Sequence, residues 1–185
     1  TSVINNWGVE VLFLENHGIV VAADSIDRIY FLIQSIRGLT SQKVIQKTEK
    51  KELKYLGNSQ FEPVVDTDIH ALAIDEKLLK LVKNAWAIAP DHVVFLGPEP
   101  VIFQNIPEFE KEITRLAEVP LIVFIAGQGV FSRGPLDAAG REQLRAYFEL
   151  IIRQEDDQEF NTFTDSQIGE LLNWDAEKYR IGLRK

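Results

Sequence analysis

Two apolar runs with a polar corner between them open the chain. "VEVLFLEN" (9 to 16) and "GIVVAA" (18 to 23) are rich in branched and aromatic side chains and read as two buried strands. Asn16, His17 and Gly18 join them, with the glycine relieving the backbone at a hairpin-like corner. The period then changes. Asp24 and Ser25 suit a helix cap, Ile26, Ile29, Tyr30 and Ile33 recur at helical spacing, and Gly38 reads as the end of that helix.

From Thr40 to Gly57 the chain turns polar and lysine-rich, which predicts a partly helical surface connector. Beyond it, Leu78, Leu81, Val82, Ala85 and Trp86 share one helical face, with Asp75 as the expected cap. "DHVVFLG" (91 to 97) reads as a strand closed by glycine and proline, and Phe109, Ile113, Leu116 and Ala117 as another helical stripe. "PLIVFIAG" (120 to 127) has the clearest pattern of a buried strand. A helix starting near Pro135 carries Leu144, Tyr147, Phe148, Ile151 and Ile152 at core spacing. After the acidic loop "QEDDQEF" (154 to 160), Thr164 and Gln167 have the spacing of a capping box for a last helix through Leu172, and "NWDAEKYR" adds a further helical turn or two. This alternation of strands and helices predicts an α/β class.

Composition narrows the picture. At 185 residues, with 45% hydrophobic and 26% charged side chains, the chain is globular and has room for two unequal domains. A net charge of −8 opposes nonspecific binding to nucleic acid or anionic membranes, and no apolar run is long enough to span a bilayer. The lack of cysteine excludes disulfides and thiolate chemistry and suits a cytoplasmic protein, as does an amino-terminal sequence without signal-peptide character. Methionine is absent too, which points to a fragment, a processed product, or modified methionines missing from the sequence.

Candidate chemistry centres on the three histidines. His17 sits at a strand corner, where an imidazole can serve as a zinc donor or make a simple turn hydrogen bond. His92, at the expected start of a strand, reads as a surface or inter-domain hydrogen-bonding residue, with a place beside substrate as the alternative. His70, with Asp66 and Asp68, has metal-cluster spacing on paper and reads as a solvated turn. "GQGVFSRG" (127 to 134) invites a dinucleotide reading, but Ser132 stands where the third glycine belongs. Anion binding at a following helix start, aided by Ser132 and Arg133, is the alternative there.

The stretch "VEVLFLENHGIVVAADSIDRIYFLIQSI" resembles the closing part of the class II aldolase/adducin fold, in which a strand ends in a Gln/Asn-His-Gly step before another strand and a helix. "APDHVVFLGPEPVIF", "VPLIVFIAGQGVFSRGPLDAAGREQL" and "LLNWDAEKYR" are similar to the segment that follows the aldolase domain in long bacterial class II aldolases. The resemblance implies the end of an aldolase-like α/β/α domain over residues 1–39, a connector over 40–60, and a smaller appended α/β domain over 61–185. It further implies a homo-oligomeric, zinc-dependent lyase acting on a sugar or sugar phosphate, with His17 matching the third zinc histidine. The family's paired metal histidines and its acidic catalytic residue precede the matched step, and no His-x-His pair occurs in these 185 residues. No residue here is therefore assigned as the catalytic acid or base. Adducin-like members keep the fold without metal chemistry, so a non-catalytic oligomerisation or interaction domain is the alternative.

Overall fold

The computed structural model describes residues 9–41, 56, 60–154 and 160–182. The chain divides into two compact units, residues 1–43 and 44–185. No helix among the described residues is long and apolar enough to cross a membrane.

In the first unit, strands β1 (Val11–Leu14) and β2 (Gly18–Val21) form an antiparallel hairpin that pairs Val11 with Val21 and Leu14 with Gly18. Helix α1 (Ile26–Thr40) follows, its first turn capped by the Ser25 hydroxyl, which accepts from the Arg28 amide at 3.2 Å. Arg28 grips Glu10 in a bidentate pair, Nε to Oε1 at 2.9 Å and Nη2 to Oε2 at 2.6 Å, tying the start of α1 to the residue before β1. Two expectations change here. Gly38 lies inside α1, because its backbone keeps a negative φ and nothing forces the helix to stop. The strands are not buried: Phe13 is 65% exposed, Ile19 44% and Val20 48%, because one hairpin and one helix do not provide layers on both sides of a sheet.

The second unit is a four-stranded sheet in the order β3 (Phe61–Pro63), β6 (Gly129–Arg133), β5 (Ile122–Ile125), β4 (Val101–Phe103). The pairs β3–β6 and β6–β5 are antiparallel and β5–β4 is parallel, so the sheet is mixed. All four residues of β5 are buried, and their alternation builds two cores. Ile122 and Phe124, with Val130 of β6, meet the apolar faces of helices α2 (Ala71–Ile74), α3 (Glu76–Asn84) and α6 (Ala138–Ile151). Val123 and Ile125, with Phe131 of β6, meet Phe61, Phe103 and Phe109, the last from helix α5 (Ile106–Glu112).

Where a local signal governs, the expected elements form. Asp75 caps α3 by accepting from the amides of Lys77 and Leu78, and Asp137 caps α6 by accepting from Gly140 at 2.7 Å. Thr164 and Gln167 make the full capping box of helix α7 (Asp165–Asn173), and helix α8 (Asp175–Gly182) follows. The stripe from Phe109 gives α5 and then a single 3-10 turn at Ile113–Arg115, leaving Leu116 and Ala117 outside. The stretch from 91 to 97 is not a strand: residues Pro90–Leu96 form helix α4. Proline at its first position and Asp91 in its first turn favour a helix, and burial of His92, Val93, Val94 and Leu96 outweighs the strand preference of the valines. Gly97, at φ +102°, ends it. Most of the expected connector and of the acidic loop lies outside the described residues, although Leu56 is buried in the second core.

Leu144 is fully buried under the sheet. Leu144→Ala is expected to cost about 3 kcal/mol of stability in urea unfolding, from lost transfer energy and the cavity left behind. Leu39→Ala, at a site 88% exposed, is expected to change it by no more than about 0.5 kcal/mol.

Candidate functional site

His17 occupies the corner of the β1–β2 hairpin, exposed, in a turn closed by its own amide donating to the Leu14 carbonyl at 3.2 Å. The residues around it have unusual backbones: Asn16 is at φ +58° and Gly18 at φ +109°. The His17 ring folds back over this turn, with Nδ1 lying 3.1 Å from the Glu15 carbonyl oxygen. A carbonyl only accepts, so Nδ1 carries a proton, and in the neutral ring the lone pair then belongs to Nε2. This arrangement leaves an accessible imidazole whose donor nitrogen is defined, the state a metal-ligating histidine adopts when a backbone carbonyl holds its other nitrogen.

His70 is not in a solvated turn. It is 2% exposed at the start of α2, where it accepts from the Val130 amide through Nδ1 at 3.1 Å and donates through Nε2 to the Val64 carbonyl at 3.0 Å. The Val64 amide in turn donates to the Val130 carbonyl at 3.1 Å, so the ring staples the exit of β3 to β6. Burial pushes its pKa down. With both nitrogens engaged by the backbone, His70 is a structural residue.

Asp66 and Asp68 turn instead to Arg145 on α6, whose Nη1 lies 3.0 Å from Asp66 Oδ2 and 3.2 Å from Asp68 Oδ2. Arg145 also pairs with Glu149, which pairs with Arg153. Arg153 first, and Arg145 with it, hold the Glu149 carboxyl below the usual carboxylate range. Sequence spacing grouped Asp66 and Asp68 with His70 and missed Arg145, 77 residues beyond Asp68, because only folding brings α6 over that turn.

His92 also differs from its expectation. It is 2% exposed inside an aromatic cluster, its ring centre 4.3 Å from that of Trp86 and 4.6 Å from that of Tyr147. Trp86 Nε1 donates to the Gly97 carbonyl at 2.9 Å and the Tyr147 hydroxyl to the Ala85 carbonyl at 3.0 Å, whereas His92 Nε2 has no partner. Burial pushes the His92 pKa down to about 3.

The stretch from 127 to 134 is neither a phosphate loop nor the start of a helix. Gly127 and Gly129, at φ +68° and +141°, shape the hairpin turn between β5 and β6, and Gly127 donates to the Ala73 carbonyl at 2.8 Å. Ser132 is a buried strand residue whose hydroxyl donates to the Gly134 carbonyl at 2.8 Å. The helix begins later, at Ala138, with the Asp137 side chain accepting from the Gly140 amide in its first turn. A cleft of about 290 Å³ beside α6 is lined by Val64, Ile69, Leu136, Leu144, Arg141 and Arg145 among others, with no histidine in its wall.

Among the described residues, no group of three His, Cys, Asp or Glu side chains is placed to hold a metal ion. Of the three histidines, only His17 combines exposure with an uncommitted ring nitrogen. Compared with known proteins, the chain matches no family model, no curated protein and no solved structure.

The buried His92 generates a pH dependence. Its folded pKa of about 3 lies below the unfolded value of 6.5, so the unfolded state binds the proton first. Stability falls as pH drops below 6.5, by about 1.4 kcal/mol per pH unit from this group alone. His92→Phe is expected to remove that slope. Urea unfolding from pH 7.5 to 5 should show the variant gaining on the wild type as pH falls; parallel curves would contradict the assignment.

Proposed function

We propose that this chain is part of a zinc-dependent aldolase of the class II type, in which His17 supplies one imidazole to the metal. The substrate class is a hydroxylated carbonyl compound, a sugar or sugar phosphate, cleaved or condensed at a carbon–carbon bond. One observation carries the reading: at an exposed strand corner, the Glu15 carbonyl accepts a hydrogen bond from His17 Nδ1 and leaves the Nε2 lone pair for a ligand. The local Asn-His-Gly sequence and its hairpin have the form that the class II aldolase resemblance calls for.

A bound zinc ion would supply Lewis-acid stabilisation of the negative charge that develops on the substrate. His17 would be one of the side chains that hold the ion. The other donors and the catalytic acid or base would have to lie outside the described residues. The role of His17 is to present a ring nitrogen at a fixed place: Asn16 and Gly18 shape the turn, and the Glu10–Arg28 pair ties the hairpin to α1.

A non-catalytic interaction domain is the second reading, favoured by the exposed apolar surfaces of the hairpin and α1. Phe13, Tyr30 and Phe31 are each at least 60% exposed, a surface suited to assembly whether or not metal chemistry accompanies it. Homo-oligomerisation in the cytoplasm belongs to both readings.

Elemental analysis of the full-length protein separates them. The aldolase reading expects about one zinc per chain, with most of it lost in His17→Ala while the far-ultraviolet circular dichroism is kept. Wild-type protein that takes up no zinc, or a variant that keeps all of it, removes the aldolase reading and leaves the interaction domain.

A further inference from the structure

The turn that holds His17 depends on the backbone of the residue before it, Asn16. The oxygen bonded to His17 Nδ1 belongs to the peptide joining Glu15 to Asn16. Because a peptide is planar, the direction of that oxygen is set by the rotations on either side of it, one of which is φ of Asn16. Asn16 is at φ +58°, the one non-glycine residue with positive φ among the described residues. Asparagine tolerates this left-handed region better than most side chains, and a β-branched residue there is an outlier. A return to negative φ would swing the peptide plane and carry the carbonyl away from the ring.

We propose that Asn16 is a positioning residue: its left-handed backbone aims the Glu15 carbonyl at His17 Nδ1 and so fixes the tautomer in which Nε2 is the donor. The tautomer follows from the turn alone. Its consequence for a divalent cation rests on the proposed reading of His17 as a zinc donor. Backbone partners of this kind fix ring orientation as well as protonation, and losing one weakens metal binding by about 10- to 100-fold.

Two readouts on the full chain test this. Long-range proton–nitrogen correlation spectra of neutral His17, recorded without metal, report which ring nitrogen carries the proton; zinc titration by calorimetry reports affinity. Wild type is expected to hold the proton on Nδ1. Asn16→Gly, which keeps access to positive φ, is expected to match wild type in tautomer and to within about twofold in zinc affinity. Asn16→Val is expected to lose the Nδ1 preference and to bind zinc about tenfold or more weakly. Cross-strand contacts between Leu12 and Val20 confirm that the hairpin is paired in each variant; if valine unpairs it, Asn16→Ala takes its place with the same expected direction. A paired Val or Ala variant with the wild-type tautomer overturns the positioning role. If His17→Ala binds zinc as wild type does, the donor reading fails, and the tautomer spectra still decide the role of Asn16.

Discussion

The second unit depends on one constraint: β5 is buried on both faces, so every side chain it carries must find an apolar partner above or below the sheet. Strand periodicity then dictates the rest. Ile122 and Phe124 require the helical layer that includes Leu78, Val82, Leu144 and Phe148, while Val123 and Ile125 require the smaller aromatic cluster around Phe109. With apolar burial stabilising by roughly 25 cal/mol per Å², these two cores dominate the stability of the unit. Among the described residues of the first unit there is no equivalent strand, and the hairpin and helix expose side chains of core type on their surfaces.

The three histidines show how environment, rather than residue type, sets chemistry. His70 has both nitrogens committed to the backbone and serves as a staple. His92 is enclosed by Trp86 and Tyr147 with Nε2 unpartnered, which keeps it neutral at the expense of acid stability. His17 has one nitrogen held by a carbonyl and the other uncommitted, on an exposed corner. Only the last arrangement provides an accessible lone pair.

What the sequence made legible was what local physics decides. The corner at Asn16 to Gly18, the caps at Ser25, Asp75 and Thr164, the buried run of β5 and the stripe of α6 all follow from residues within a few positions of one another. Misreadings arose where distant contacts decide. The apolar run 92–96 is helical because its burial suits a helix, and short apolar runs do not distinguish the two states. The glycines at 127 and 129 serve a hairpin because β6 returns along β5, a pairing that composition does not reveal. Strand β3 is three residues long and ends on proline, too short to register as a period. At the candidate site the histidine was legible, but its tautomer and the role of Asn16 required backbone angles.

The proposed function requires the imidazole at the β1–β2 corner to present Nε2 to a divalent ion. A crystal structure of the full-length protein grown with zinc tests this most directly. The proposed function expects an ion about 2.0–2.1 Å from His17 Nε2, with Nδ1 still donating to the Glu15 carbonyl. A well-ordered His17 ring packed against hydrocarbon or engaged by another chain through Nε2, with zinc bound elsewhere or not at all, would contradict it.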